Sequence, residues 1–498
     1  MQFSDVDYRD IQGLVRFGHG HLPEARFLLV EIADDAKARA WIRSAAERVT
    51  QAYAGDKPSC VLQIAFTCEG LVKLRVPRDV IEGFSLEFRA GMADRNRARR
   101  LGDVDANAPE KWIWGAPGKL CPHLLVMIYA EQGKLDAWEH EAKGDLWCGA
   151  FDRVHSLTTI RRDDLEPFGF VDGVSQPRID WRRSRSTRLR DTVEYTNMSA
   201  LGEFLLGYRN EYGKYTERPV IDADGTSAEL PVAEDAPGMK DAGRNGTYLV
   251  MRQLKQDVRG LWQFVWRQAG ADFAAADKLA SAMVGRTRDG DPLVSSHGGP
   301  ATPKDPLAQN RFNFDADPDG VECPLGAHIR RANPRNADFV GRPGIVLRAF
   351  ARLGLGRNAF RDDLTSSVRF HRVLRRGRKY GSVLSPMDAL APAPAGDPER
   401  GLHFICLNAN ISRQFEFLQS AWTMNAKFDG LAGENDPVVG NHDAASGCPA
   451  GGSFTMPNAG ALRGKVSGIP QFVTVLGGAY FFLPGIRALR YFARVGTP

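Results

Sequence analysis

Three segments of this chain set reactive side chains among residues that build turns and pocket walls. In residues 168–178 (FGFVDGVSQPR), Asp172 stands among Phe170, Val171 and Val174, with Gly169, Gly173 and Pro177 setting a tight loop. A carboxylate there is either a turn-forming residue, since Asp-Gly is a common turn pair, or a placed acid/base group. In residues 323–335 (CPLGAHIRRANPR), His328 follows small and apolar residues and precedes Arg330, Arg331 and Arg335. A neutral imidazole in an apolar setting suits axial ligation of haem iron, and fixed guanidiniums suit haem propionates. The plainer reading is one more packed histidine among the ten in the chain.

The third segment is residues 369–381 (RFHRVLRRGRKYG), in which a strand-like HRVLR runs into the turn-prone pair Arg376-Gly377. On a half-buried strand Arg375 shares a face with Val373. A buried guanidinium needs a partner or a developing negative charge, whereas an exposed basic edge strand needs neither. Leu402 and Phe404 recur at strand spacing and serve equally as a pocket wall or as ordinary core. Together these groups describe cleavage of a peroxide O–O bond. That reaction needs a metal, a carboxylate to move the proton between oxygens, a cation for the departing oxygen and an apolar wall to exclude water.

The wording of these segments resembles the dye-decolorizing peroxidases. GFVDG matches their GxxDG signature, GAHIRRANPR their proximal-histidine segment and HRVLRRG their distal-arginine strand. The likeness extends from DIQGLVRFGHG through EFRAGMADRNRARRLGD and LNANISRQFEFLQSAW to GGAYFFLPGIRALRYF, nearly the whole chain, and is similar to the long bacterial and fungal members. The resemblance implies Asp172 as distal acid/base, Arg375 as distal arginine and His328 as the ligand of the haem iron. It also implies Arg335 at a haem propionate, Leu402 and Phe404 in the distal wall, and Glu416 as the carboxylate that accepts a hydrogen bond from the proximal imidazole. The implied cofactor is haem b. The implied partners are hydrogen peroxide and aromatic electron donors such as dyes and phenols. The alternative on the same fold is a haem-binding or storage protein, which has no need of the pair Asp172 and Arg375.

The elements that must hold these residues read as α+β. Strands are expected at 25–32, 61–67 and 121–130, with Asp34 and Asp35 capping a helix between the first two. In the later region strands are expected at 345–350, 371–375, 402–408 and 472–483, with helices at 411–423 and 485–494. Between lies a polar middle with helical pieces at 198–206 and 272–284. The resulting division is an N-terminal half at 1–180 with the GxxDG loop, a polar insertion at 181–325 and a haem-binding half at 326–498. The family likeness makes the halves ferredoxin-like in a barrel-like arrangement.

Composition narrows the alternatives. The 498 residues carry 25% charged and 43% hydrophobic residues, an ordinary globular balance that excludes wholesale disorder. A net charge of +5 is small for this size, and the arginine-dense stretch 181–190 lacks the interleaved aromatics of a nucleic-acid site, so no nucleic-acid partner is expected. Seven cysteines form no CxxC or CxxCH, which argues against a zinc ribbon and covalent haem attachment. No signal peptide or run of about 18 apolar residues is evident, so a cytoplasmic chain off the membrane is expected, with room for a homo-oligomer.

Overall fold

Apolar runs of strand length build the frame. In the N-terminal half, β1 (Glu24–Ile32), β2 (Cys60–Phe66), β3 (Leu124–Ala130) and β4 (Phe151–Thr158) form antiparallel ladders in the order β2-β3-β1-β4. β3 is buried at every position, as expected of a strand covered on both faces. Helix α1 (Asp35–Ala46) crosses from β1 to β2, and its N-cap is Asp34, whose side chain accepts from the Lys37 N–H at 3.0 Å. α2 (Leu135–Lys143) crosses from β3 to β4. This β-α-β-β-α-β order is the ferredoxin-like unit.

The unit is repeated. β5 (Thr247–Gln256), β6 (Leu374–Arg375), β8 (Gly401–Asn408) and β9 (Val473–Leu483) form a second antiparallel set in the order β6-β8-β5-β9, and β7 (Arg378–Tyr380) also pairs with β8. α3 (Val258–Gln268) follows β5. The two sets join edge to edge where Phe482 of β9 pairs with Phe66 of β2, giving one nine-stranded sheet. Among the described residues its outer ends approach through one backbone bond, Ile160 N–H to Lys379 O at 3.2 Å, and form no closed ladder. The model is computed, and describes residues 5–495 apart from 54, 56, 161–164, 184–196, 295–308, 315, 336–366, 443–451 and 457–463.

Several expectations change here. The second ferredoxin-like unit does not begin at 326. Its first strand and helix, β5 and α3, lie inside the stretch read as a polar insertion and split it: the part before β5 connects the two units, and the part from the end of α3 to β6 carries α4 (Phe273–Val284) and His328. The average polarity of 181–325 hid the buried run at the start of β5. Residues 198–206 form a short strand, Met198–Ala200, and a 3₁₀ turn, Leu201–Glu203, not a helix. Residues 367–371 are a 3₁₀ turn ahead of the two-residue β6. The strand expected at 345–350, and all of 181–190 beyond Arg183, lie outside the described residues.

The core lies on both faces of the sheet. On one face α1 buries Trp41 and Ile42 at 0% exposure, and Trp41 meets Trp147 and Phe151 edge-on with centroids 5.0 and 5.3 Å away. Trp41→Ala is expected to lower stability by about 3–5 kcal/mol. A downward shift of the urea midpoint checks this.

Candidate active site

A cavity of about 320 Å3, in the range of small-molecule and cofactor sites, lies against the sheet of the second unit. Leu402 and Phe404 of β8 face it beside Leu254 and Arg252 of β5, their ladder partners, while His403 turns to the opposite face and contacts Thr158 O at 3.0 Å. His328, Asp172, Arg375 and Arg335 also line this cavity. Six of the seven residues singled out from the sequence are thus brought together; Glu416 is not among them.

His328 begins the short helix His328–Ala332. Its Nδ1 lies 2.9 Å from Asp436 Oδ2, which leaves Nε2 to coordinate. Burial opposes a charge on this ring, yet the Asp436 carboxylate outweighs it and raises the imidazole pKa. Asp436 is fixed in turn by the Val438 and Val439 N–H groups at 2.9 and 3.0 Å. The neighbouring guanidiniums do not reach the cavity. Arg331, 0% exposed, donates to the carbonyls of Gly326, Trp422, Asn425 and Glu434, and Arg330 to Asp317 and Cys323 O. They anchor the helix and are not candidates for a propionate.

Glu416 is corrected. It accepts from Arg97 Nη1 at 2.9 Å and from Tyr480 Oη at 3.0 Å, away from the imidazole. The segment expected as an α-helix at 411–423 winds more widely, with i→i+5 bonds such as Glu416 N–H to Ile411 O and Met424 N–H to Gln419 O. This winding turns Phe415, Leu418 and Trp422 to the cavity and Glu416 outward to Arg97. No spacing pattern marks Asp436 as the partner of His328, because 108 residues separate the two.

Asp172 and Arg375 form the other pole. Arg375 Nη1 donates to Asp172 Oδ1 at 2.7 Å, and the Gly173 N–H donates to the same oxygen at 2.6 Å. Their side chains remain 45% and 34% exposed because they face the cavity. Burial would raise the Asp172 pKa, but Arg375 and the Gly173 N–H hold it below 3.8. Gln176 clamps the Arg375 backbone from both sides, at 3.1 and 3.2 Å. Gly173 has φ +83° with open space around an added Cβ, so the glycine answers backbone conformation and not close approach.

A cationic wall completes the cavity. Arg335 adopts φ +59° and donates to the carbonyls of Asn310 and Phe312 at 3.0 and 2.9 Å. Burial, then Arg286 and Arg372, push its pKa well down; burial and Arg375 lower Arg286 to about 10, and burial lowers Arg372 to about 10. Arg372 Nε and Nη2 are buried without a partner among the described residues. Guanidiniums crowded out of water call for an anion, and carboxylate groups such as haem propionates answer that demand. Together with an oriented imidazole and an apolar wall, the donor set fits haem. Arg286 and Arg372 escaped sequence reading because nothing in their local pattern distinguishes them from surface arginines.

An imidazole backed by a carboxylate and an Asp–Arg pair share one cavity, an arrangement that suits a haem peroxidase. No family model matches the chain. It is 29% identical to a dye-decolorizing peroxidase of Exidia glandulosa, over 98% of this chain and 87% of that one. It is 30% identical to the multifunctional dye peroxidase DyP2 of an Amycolatopsis species, over 67% of this chain and 62% of that one. The crystal structure of a fungal DyP-type peroxidase from Auricularia auricula-judae superposes with a TM-score of 0.72 at 25% identity, covering 99% of this chain and 100% of that one. The chain belongs to the dye-decolorizing peroxidase family and is a haem-dependent peroxidase. Among the described residues, no helix is long and apolar enough to cross a membrane.

Arg331→Met strands several buried carbonyls and is expected to cost at least about 3 kcal/mol. A lower thermal midpoint, with faster loss of haem on dilution, is the measurement.

Proposed function

We propose that this chain reduces hydrogen peroxide at a haem b held by His328 and oxidises dyes, phenols or related aromatic donors. The observation that carries the reading is one cavity shared by the His328–Asp436 pair and the Asp172–Arg375 pair. Haem, when bound, supplies the redox-active iron at which the O–O bond breaks.

His328 Nε2, left free by the bond at Nδ1, would hold the haem iron. Asp436 accepts from Nδ1–H, fixing the tautomer and the ring plane and raising the basicity of the ligand. Asp172, held ionised, takes the proton of the inner peroxide oxygen and returns it to the outer one. Arg375 donates to the departing oxygen and, through its bond to Asp172, keeps that carboxylate aimed. Leu402 and Phe404 keep water from the reacting oxygens. Arg335, with Arg286 and Arg372, would hold the propionates. A storage protein would use His328 and the arginines alike, but the Asp172–Arg375 pair favours catalysis. The reading extends to a reducing, cytoplasmic setting, which the free state of the six described cysteines supports.

His328→Ala is expected to bind haem on the order of 100-fold more weakly, read by titrating apo-protein and following the Soret band. Unchanged affinity would move the ligand elsewhere. Asp172→Asn and Arg375→Leu are expected to keep haem and slow the peroxide step by about 10²- to 10⁴-fold in stopped-flow traces. Wild-type rates in both variants would remove the pair from the peroxide step. The lowered Asp172 pKa also fixes a sign: the base is present above the usual carboxylate pKa and is lost only as pH falls through a value below 3.8. The peroxide step therefore holds its rate down to that pH, and a decline centred near neutrality that persists in Asp172→Asn would assign it to another group.

A further inference from the structure

Glu166 is a carboxylate on the cavity wall that the mechanism above leaves unused. Both of its oxygens are engaged. Oε2 accepts from the Phe168 N–H at 3.0 Å and from Gln256 Nε2 at 2.8 Å, and Oε1 accepts from the Phe170 N–H at 3.1 Å. Its backbone closes the same turn, since the Glu166 N–H donates to Phe170 O and the Gly169 N–H donates to Glu166 O, each at 2.8 Å. Gln256 ends β5, and its own N–H donates to Arg400 O at 2.9 Å at the start of β8. One side chain thus ties the turn at 166–170 to the strands that form the distal wall.

Asp172 lies two residues beyond this turn, next to Val171, whose N–H donates to Arg288 O at 3.0 Å. Its carboxylate is held by the Gly173 N–H within its loop and by Arg375. The direction of Asp172 therefore follows from two fastenings of the backbone before it, the bond at Val171 and the clamp on the turn. Phe168 and Phe170, 2% and 3% exposed, fill the core beneath, and Trp262 Nε1 donates to Phe168 O at 3.0 Å. These contacts fix the apolar side of the loop; Glu166 fixes the side that faces the cavity.

We infer that Glu166 is a positioning residue for the peroxide step, clamping the turn that aims Asp172 into the cavity. The inference rests on the reading of Asp172 as the acid/base. Burial raises the Glu166 pKa to about 7, against the hydrogen bonds that favour its ionised form. A group kept at that cost in a cavity wall does more than fill space.

The test is a double-mutant cycle on the haem-loaded enzyme with Glu166→Ala, Asp172→Asn and the double variant. Two rates are read: the second-order reaction with hydrogen peroxide, and cyanide association with the ferric protein, which also needs a placed distal base. Glu166→Ala is expected to slow both by roughly 10- to 100-fold, the scale of a 1 Å misplacement. Haem affinity and the KM for the aromatic donor should stay unchanged, which a merely structural lesion would not allow. The double variant should match Asp172→Asn within about twofold, because a lost base has no aim to lose. Glu166→Gln keeps one carbonyl oxygen for the turn and should fall between wild type and Glu166→Ala; it also supplies the comparison if the alanine variant folds poorly. A slow Asp172→Asn beside a Glu166 variant with wild-type rates overturns the inference alone. Additive losses overturn it too, since Glu166 would then act on peroxide directly. A wild-type rate in Asp172→Asn overturns the underlying reading and this inference with it.

Discussion

The hydrogen bond between His328 and Asp436 joins parts of the chain 108 residues apart, and the rest of the cavity is arranged around the ring it aims. A lone imidazole on a short helix would turn about its side-chain bonds. Here the carboxylate fixes the ring, the Val438 and Val439 N–H groups fix the carboxylate, and Arg331 locks the two segments by donating from the His328 helix to the carbonyls of Trp422, Asn425 and Glu434. Each bond is modest in water but strong where solvent is excluded. The same guanidinium that a sequence reader would assign to the cofactor is spent on this internal lock.

Electrostatics makes the cavity asymmetric. Arginines outnumber carboxylates in its wall, and burial with mutual repulsion lowers the pKa of Arg286, Arg335 and Arg372. Such a wall favours an anionic edge on whatever fills the space. The carboxylates are held differently. Asp172 is kept ionised by Arg375, whereas Glu166 is pushed up to about 7 by burial. Two acids close in sequence are thereby shifted in opposite directions, Asp172 downward by Arg375 and Glu166 upward by burial.

The duplicated frame explains why the site lies where it does. Both units use the same strand order, so the difference between them comes from their connections. In the first unit, α1 covers the sheet with Trp41, Ile42 and Ala45, leaving solid core. In the second, the long excursion between α3 and β6 carries His328 over the sheet, and the widely wound segment after β8 turns Phe415, Leu418 and Trp422 inward, so the face becomes a chamber.

Much of this was legible in the chain itself. The GxxDG loop, the histidine segment and the HRVLR strand are local patterns that mark Asp172, His328, Arg375, Arg335, Leu402 and Phe404 by their immediate neighbours, and all six reach the cavity. The strand runs of the first unit are apolar stretches whose period and length suffice to mark them. Tertiary structure alone decided the rest. Glu416 could not be separated from Asp436 as the partner of His328, because that choice depends on i→i+5 winding and on a contact distant in sequence. The start of the second unit at β5 was hidden because a single buried strand sits inside a polar stretch, and only its pairing with β8 and β9 shows that it is central. Local pattern fixes what a residue can do; which groups meet is set by long-range packing, and no short window of sequence contains it.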